Sequence, residues 1–314
     1  MRGKLLNVID KRLKRSIISS GTLGLVGGKL GICIFEALYS EETQNSNSRK
    51  KSIALFNEIV VNYESLPDTF LSGKVGLGWG MLLLSKHAIL ELDDKVQNLL
   101  NQISHLSSYS LNGHPYQLSL DDKLFVKGIY KLQQRPSDQS LLRFVIDEEL
   151  IAFVDDCENL LFRSIKHIYN PKHLSLRELN SILYFLKEIE NRRIFPFKAR
   201  ILIEKVNDLY KTVNNKSLVD EIVFQILYYN KYNLSHNNIG FYDKLSILGE
   251  LGFLSLIYED CRLFFLPFQH FKQDDVNFEQ KLIRILKRQE FDLSVLCGLG
   301  FGLLNLKNIS NEKN

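Results

Sequence analysis

Three aspartates sit at matching distances ahead of a recurring glycine pattern: Asp68 lies five residues before Gly73, Asp243 six before Gly249, and Asp292 five before Cys297. Carboxylates gathered at the mouth of a ring of helices can do acid–base work, one of them protonating a leaving oxygen as in glycoside hydrolysis. The same positions also suit N-caps, where aspartate accepts hydrogen bonds from free amides and offsets the helix dipole for about 1 kcal/mol. The cap is the better reading, because a sugar cleft would carry several aromatics, whereas the single tryptophan, Trp79, lies inside an apolar stretch.

The thiols offer less. Four cysteines form no Cys-x-x-Cys pair, and each lies in or beside an apolar stretch, as expected of reduced thiols in a cytoplasmic protein. Cys33 and Cys297 would approach one another if the first and last glycine-marked helices meet, giving a thiol pair or half of a metal site. Small apolar filler at crowded positions is the plainer role for both. Cys261 and His270, with His236 nearby in sequence, are the only other late Cys/His grouping, and their separation is not that of metal ligands. No metal is expected.

What must position these groups is written in the glycines. Gly28-Lys29-Leu30-Gly31, Gly73-Lys74-Val75-Gly76, Gly249-Glu250-Leu251-Gly252 and Cys297-Gly298-Leu299-Gly300 each run on into apolar sequence, and a degenerate copy with one glycine stands at Gly128. Glycines at i and i+3 share a helical face and strip it of side chains, so a neighbouring backbone can approach closely. Each costs about 1 kcal/mol of helix stability relative to alanine, so repeated use implies crowding. Gly28 and Gly73 are 45 residues apart, and the last two motifs begin 48 apart, a spacing that suits stacked helical hairpins.

Along the chain, polar-faced helices alternate with nearly all-apolar ones. Amphipathic helices are predicted over residues 4–15, 52–64, 93–106 and 277–288, and apolar glycine-led ones over 22–39, after Gly73, around Gly249 and over 294–306. Further helices are predicted over 139–167 (one or a pair), 175–190, 197–213 and 217–229, with an exposed loop over 41–52. Helices apolar on all sides belong inside. The expected fold is therefore all-α, an α/α toroid of six or seven hairpins forming one domain over residues 1–314, with apolar helices inside amphipathic ones.

Composition agrees with a globular chain: 314 residues, 45% hydrophobic and 24% charged, with a net charge of +4. Residues 16–38 are apolar enough to suggest a signal peptide or a membrane span. Lys29 at the centre and the return of the same pattern elsewhere favour a buried helix, hence no stable membrane insertion. Basic residues are dispersed except for Lys11-Arg12-Leu13-Lys14-Arg15, read as a solvated helix face or a contact for an anionic partner. Nucleic-acid binding is not expected.

A hairpin repeat with a Gly-x-x-Gly apolar signature resembles the lanthionine cyclase C-like family, clearly at both ends of the chain and faintly between residues 110 and 240. The resemblance implies a seven-hairpin α/α toroid and a zinc ion that activates a peptide cysteine for addition to a dehydrated serine or threonine, in the maturation of ribosomally made peptides. The family's zinc ligands lie two and one residues before the glycine pairs. Here those positions hold Val26, Leu71, Ile247 and Val295, and Gly27, Ser72, Leu248 and Leu296, none of which binds zinc. The resemblance thus implies a cytoplasmic, zinc-less relative that binds a peptide substrate, its leader, or a partner maturation enzyme. A toroid hydrolase or lyase using Asp68, Asp243 or Asp292 is the alternative, and a cyclase with zinc on unaligned ligands a third.

Overall fold

The structure is a computed structural model that describes residues 2–16, 21–108, 128–166, 174–232 and 239–311. Among these residues there are fourteen α-helices, one short 3-10 turn and no strand. The chain divides into two compact units, Met1–Asn101 together with Tyr232–Asn314, and Gln102–Lys231.

The first unit holds α1 (Arg2–Ser16), α2 (Lys29–Thr43), α3 (Ser46–Val61), α4 (Lys74–Lys86), α11 (Phe241–Ile257), α12 (Arg262–Asp274), α13 (Phe278–Arg288) and α14 (Leu293–Asn311). The sequence boundary between the units falls within α5 (Asp94–Ser108). Helix α2 is buried continuously from Leu30 to Ser40, as its apolar sequence requires, while α3 buries only Ser48, Ser52, Leu55, Phe56 and Ile59. The two pack as an antiparallel hairpin, since Lys29 meets Glu58, Cys33 meets Ser52 and Glu36 meets Lys51. This is the alternation of a nearly all-apolar helix with a polar-faced one that the hydrophobic pattern predicts.

The exposed loop predicted over 41–52 is instead almost entirely helical. Helix α2 continues to Thr43, Gln44 ends it in the left-handed conformation, and the side chain of Asn45 caps α3 by accepting from the amides of Asn47 and Ser48. The polar residues are helical because they alternate between water and a small-residue face. Ser52, for example, donates to the carbonyl of Cys33 at 2.9 Å, letting the helices approach.

The apolar 16–38 stretch is likewise not one helix: α1 ends at Ser16 and α2 begins at Lys29. Among the described residues no helix is long and apolar enough to cross a membrane. Helix α1 buries Leu5, Leu6, Ile9 and Leu13 and packs on α13 and α14. Arg2 anchors its start by donating to the carbonyls of Leu303 and Leu304, and Arg12 donates to the carbonyl of Leu286. Helix α14 also packs on α2, through Phe301 against Phe35, so the first and last glycine-marked helices meet within this unit.

The second unit holds α6 (Tyr130–Gln134), α7 (Leu141–Lys166), α8 (Leu176–Asn191), α9 (Pro196–Thr212) and α10 (Leu218–Tyr229). Residues 139–167 thus yield one long helix. Local signals fix the starts. A reciprocal Ser175–Glu178 capping box opens α8, Pro196 opens α9, and the Ser217 side chain caps α10. Helix α8 forms the centre, buried from Leu179 to Leu186 and packed against α9 and α10. The lone glycine of the degenerate copy, Gly128, faces the rings of Phe153 and Phe185, which stack edge to face with centroids 4.9 Å apart. Phe125, Val126 and Lys127 of that copy lie outside the described residues.

Candidate functional site

The first two glycine motifs build the same local device. Gly28 and Gly73 occupy the N-cap positions of α2 and α4 in extended conformations. In each case the preceding loop folds back over the first turn. The Lys29 amide donates to the carbonyl of Thr22 at 3.0 Å, and the Lys74 amide to that of Pro67 at 2.8 Å, both seven residues back. A Cβ on Gly31 would overlap the carbonyl oxygen of Leu25, and one on Gly76 that of Phe70, again in register. The two loops bond to one another, with the Leu25 and Val26 amides donating to the carbonyl of Leu71 at 2.9 and 3.0 Å. Residues 22–31 and 67–76 are therefore two copies of one structure, offset by 45 positions.

The late motifs use their glycines differently. Gly249 lies in the middle of α11 rather than at its start, and Gly298 is the sixth residue of α14. Here the helices cross backbone to backbone: a Cβ on Gly252 would overlap the carbonyl oxygen of Gly298, and one on Gly298 that of Gly249. The close approach predicted from the spacing is present, but a second helix rather than a loop fills the notch.

The three aspartates are all exposed. Asp68 does not cap α4, because Gly73 holds that position, and it pairs with Lys74 at 3.3 Å. Asp243 stands in the first turn of α11, whose cap is Gly240, and its carboxylate lies back towards that glycine. Asp292 directly precedes α14, and its carbonyl accepts from the Leu296 amide at 3.1 Å.

Cys33, Cys157, Cys261 and Cys297 are free thiols. Cys33 donates to the Ser52 carbonyl at 3.3 Å. Burial pushes its thiol up to about 12 and raises Cys157 and Cys297 as well. Cys261 and His270 sit nine residues apart at and within α12, half a turn out of phase. His270 pairs instead with Asp274, at 3.6 Å, and meets the Tyr232 ring edge to face; His236 lies outside the described residues. Among the described residues no group of three His, Cys, Asp or Glu side chains is arranged to hold a metal. In the native protein one thiol, Cys261, is expected to react quickly with an aromatic disulfide reagent, and all four after denaturation, as a colorimetric thiol count would show.

A polar cluster inside the first unit is announced by no sequence motif. Glu36 is fully buried in the middle of α2, with Oε1 3.0 Å from Lys51 Nζ of α3. Asp10 of α1, 8% exposed at its side chain, accepts from Lys14 Nζ at 2.7 Å. Cys33 and Tyr39 of α2, Ser48 of α3 and Cys297 of α14 complete the surroundings. Asp10 Oδ1, Glu36 Oε2 and Ser48 Oγ lack hydrogen-bond partners among the described residues. Burial raises the carboxyl of Glu36 above its ordinary range; the Ser48 hydroxyl, beside it but outside hydrogen-bond geometry, and the Lys51 ammonium act against that rise. The cluster can hold a proton in the core, and its enclosure leaves no room for substrate chemistry at Glu36. The one available signal was a lone acid within Ile32-Cys33-Ile34-Phe35-Glu36-Ala37-Leu38, a helix apolar all round.

No protein family, no curated protein and no solved structure matches this chain.

Proposed function

We propose that this chain is a lanthionine cyclase-like protein that acts in the cytoplasm on the maturation of a ribosomally made peptide, by binding the peptide or a partner enzyme rather than through zinc chemistry. In this reading residues 1–314 form one α/α toroid of six or seven hairpins. The observation that supports it is the pair of loop-and-helix copies with matching hydrogen bonds, 22–31 and 67–76, each leading into an apolar, buried helix. The α2–α3 pairing of an inner with an outer helix, and the contact of α14 with α2, support the same arrangement. The positions that carry zinc in the resembling family hold apolar residues, glycine and serine here.

The test is a synthetic peptide bearing one cysteine and one dehydroalanine, mixed with the purified protein with and without added zinc. Thioether closure adds the thiol S–H across the C=C bond and leaves the mass unchanged, so it is read as loss of alkylatable thiol. Retention of the peptide on the immobilised protein with no loss of thiol is the expected result. Zinc-dependent closure would overturn the binding-only role, and no retention would overturn peptide binding.

A further inference from the structure

The last turns of α1 and α13 bring two basic runs together. Arg12 reaches across and donates from Nε to the carbonyl of Leu286 at 2.7 Å, which sets Lys11 and Arg15 on one side beside Arg284, Lys287 and Arg288 on the other. These five flanking side chains are exposed, and among the described residues none of them makes an ion pair. Elsewhere in this unit Lys14, Lys29, Lys51, Lys74, Lys86 and Lys281 pair with acids, while Lys4, Arg49, Lys50 and Lys95 are exposed and, among the described residues, make no ion pair either. One or two cations at a helix C-terminus offset its dipole. Lys11 and Arg284 lie a turn further in, where the dipole gives them nothing to offset.

We infer that this face of α1 and α13 is a docking surface for an acidic peptide segment. The inference rests on the reading of the chain as a peptide-binding protein and names the chemistry of the peptide. Three of the five free cations are arginines, which grip carboxylates in two-point hydrogen bonds. Packed helices lie about 8–10 Å apart, so crossing from one to the other takes about three residues of extended chain at about 3.3 Å each. Glu290 and Asp292 are exposed just beyond Arg288. A membrane plane or a nucleic-acid duplex would press its own negative charge on those two acids, whereas a short flexible segment avoids them. Neither helix displays an exposed large apolar side chain to enter a bilayer.

The test is fluorescence anisotropy of a labelled Glu/Asp-rich decapeptide free of cysteine, serine and threonine, titrated with the full chain. Lys11 and Arg12 are left intact, and the triple variant Arg15→Gln, Arg284→Gln, Arg288→Gln is compared with the parent, its fold checked by circular dichroism and thermal melt. Binding is expected to weaken about tenfold between low and physiological salt, and at least tenfold in the variant with its melt unchanged. Should the triple variant unfold, single Gln variants at the same positions are used, each expected to weaken binding about twofold or more. No binding at low salt, or equal binding by the variants, overturns the inference. Tighter binding of duplex DNA or phosphatidylserine vesicles, lost in the same variants, also overturns it and assigns the face to that polyanion. The decapeptide carries no group for thioether chemistry, so its failure to bind leaves the maturation role to be judged by the dehydroalanine assay, and failure there leaves this surface standing.

Discussion

Gly252→Ala is expected to destabilise the protein by about 3 kcal/mol, seen as a lower urea midpoint, although alanine is the better helix former by about 1 kcal/mol. The sign is decided by what the new methyl meets. At residue 252 it would overlap the carbonyl oxygen of Gly298, and at residue 298 that of Gly249. A backbone oxygen has no rotamer to retreat into, so α11 and α14 must separate and lose contact along the whole crossing, the most extensive helix pairing in the first unit. Gly80→Ala provides the contrast. Its methyl would meet only the side-chain ends of Leu30 and Ile34, at 3.2 and 3.3 Å, and these can give. A change within about 1 kcal/mol is expected there. Because one separation accommodates both methyls, the double variant Gly252→Ala, Gly298→Ala should cost clearly less than the two single losses added. Stabilisation by Gly252→Ala would show that the crossing is not tight and would remove the physical basis for the repeat.

The glycine motif was legible because it records a steric fact that survives any topology: something must come close. Which thing comes close was not legible. Gly31 and Gly76 admit carbonyls from their own preceding loops, while Gly249 and Gly252 admit a second helix, and the four-residue pattern is the same in both cases. The all-helical character, the amphipathic α1 and α3 and the starts of α8, α9 and α10 were legible from hydrophobic period and capping residues. Residues 41–52 are polar yet helical rather than a loop, because Asn45 caps the next helix and Ser48 and Ser52 line its buried face. The aspartates ahead of the motifs drew attention through regular spacing, yet all three are exposed, and Asp68 is already matched by Lys74. The strongest electrostatic feature, Glu36 with Lys51 and Asp10 with Lys14, joins three helices across up to 41 positions of sequence, and no local pattern announces such an assembly.

That cluster carries the second large effect, and its sign runs opposite to the usual carboxylate. Burial raises the Glu36 carboxyl above its ordinary 4.5, so the folded protein holds this proton more tightly than the unfolded chain does. The resulting stability is complete below 4.5 and is lost as pH rises through the folded value. Lys51 then decides how much the ionised form costs. In Lys51→Met the carboxylate would have no ammonium to meet, and a loss of about 3 kcal/mol is expected at pH 8, the low end for breaking a buried pair because Lys51 is 26% exposed. At pH 4, below the ordinary 4.5 and so with the raised Glu36 carboxyl protonated, the same variant should lose less than about 1 kcal/mol. Glu36→Gln keeps the shape without the charge. It should flatten the fall in stability above pH 4.5, and it should rescue Lys51→Met at pH 8 by most of the loss. Urea midpoints of the four proteins from pH 4 to 8 supply the measurement. An equal loss for Lys51→Met at both pH values would mean that the lysine acts through its packed stem, and that no proton is held between α2 and α3.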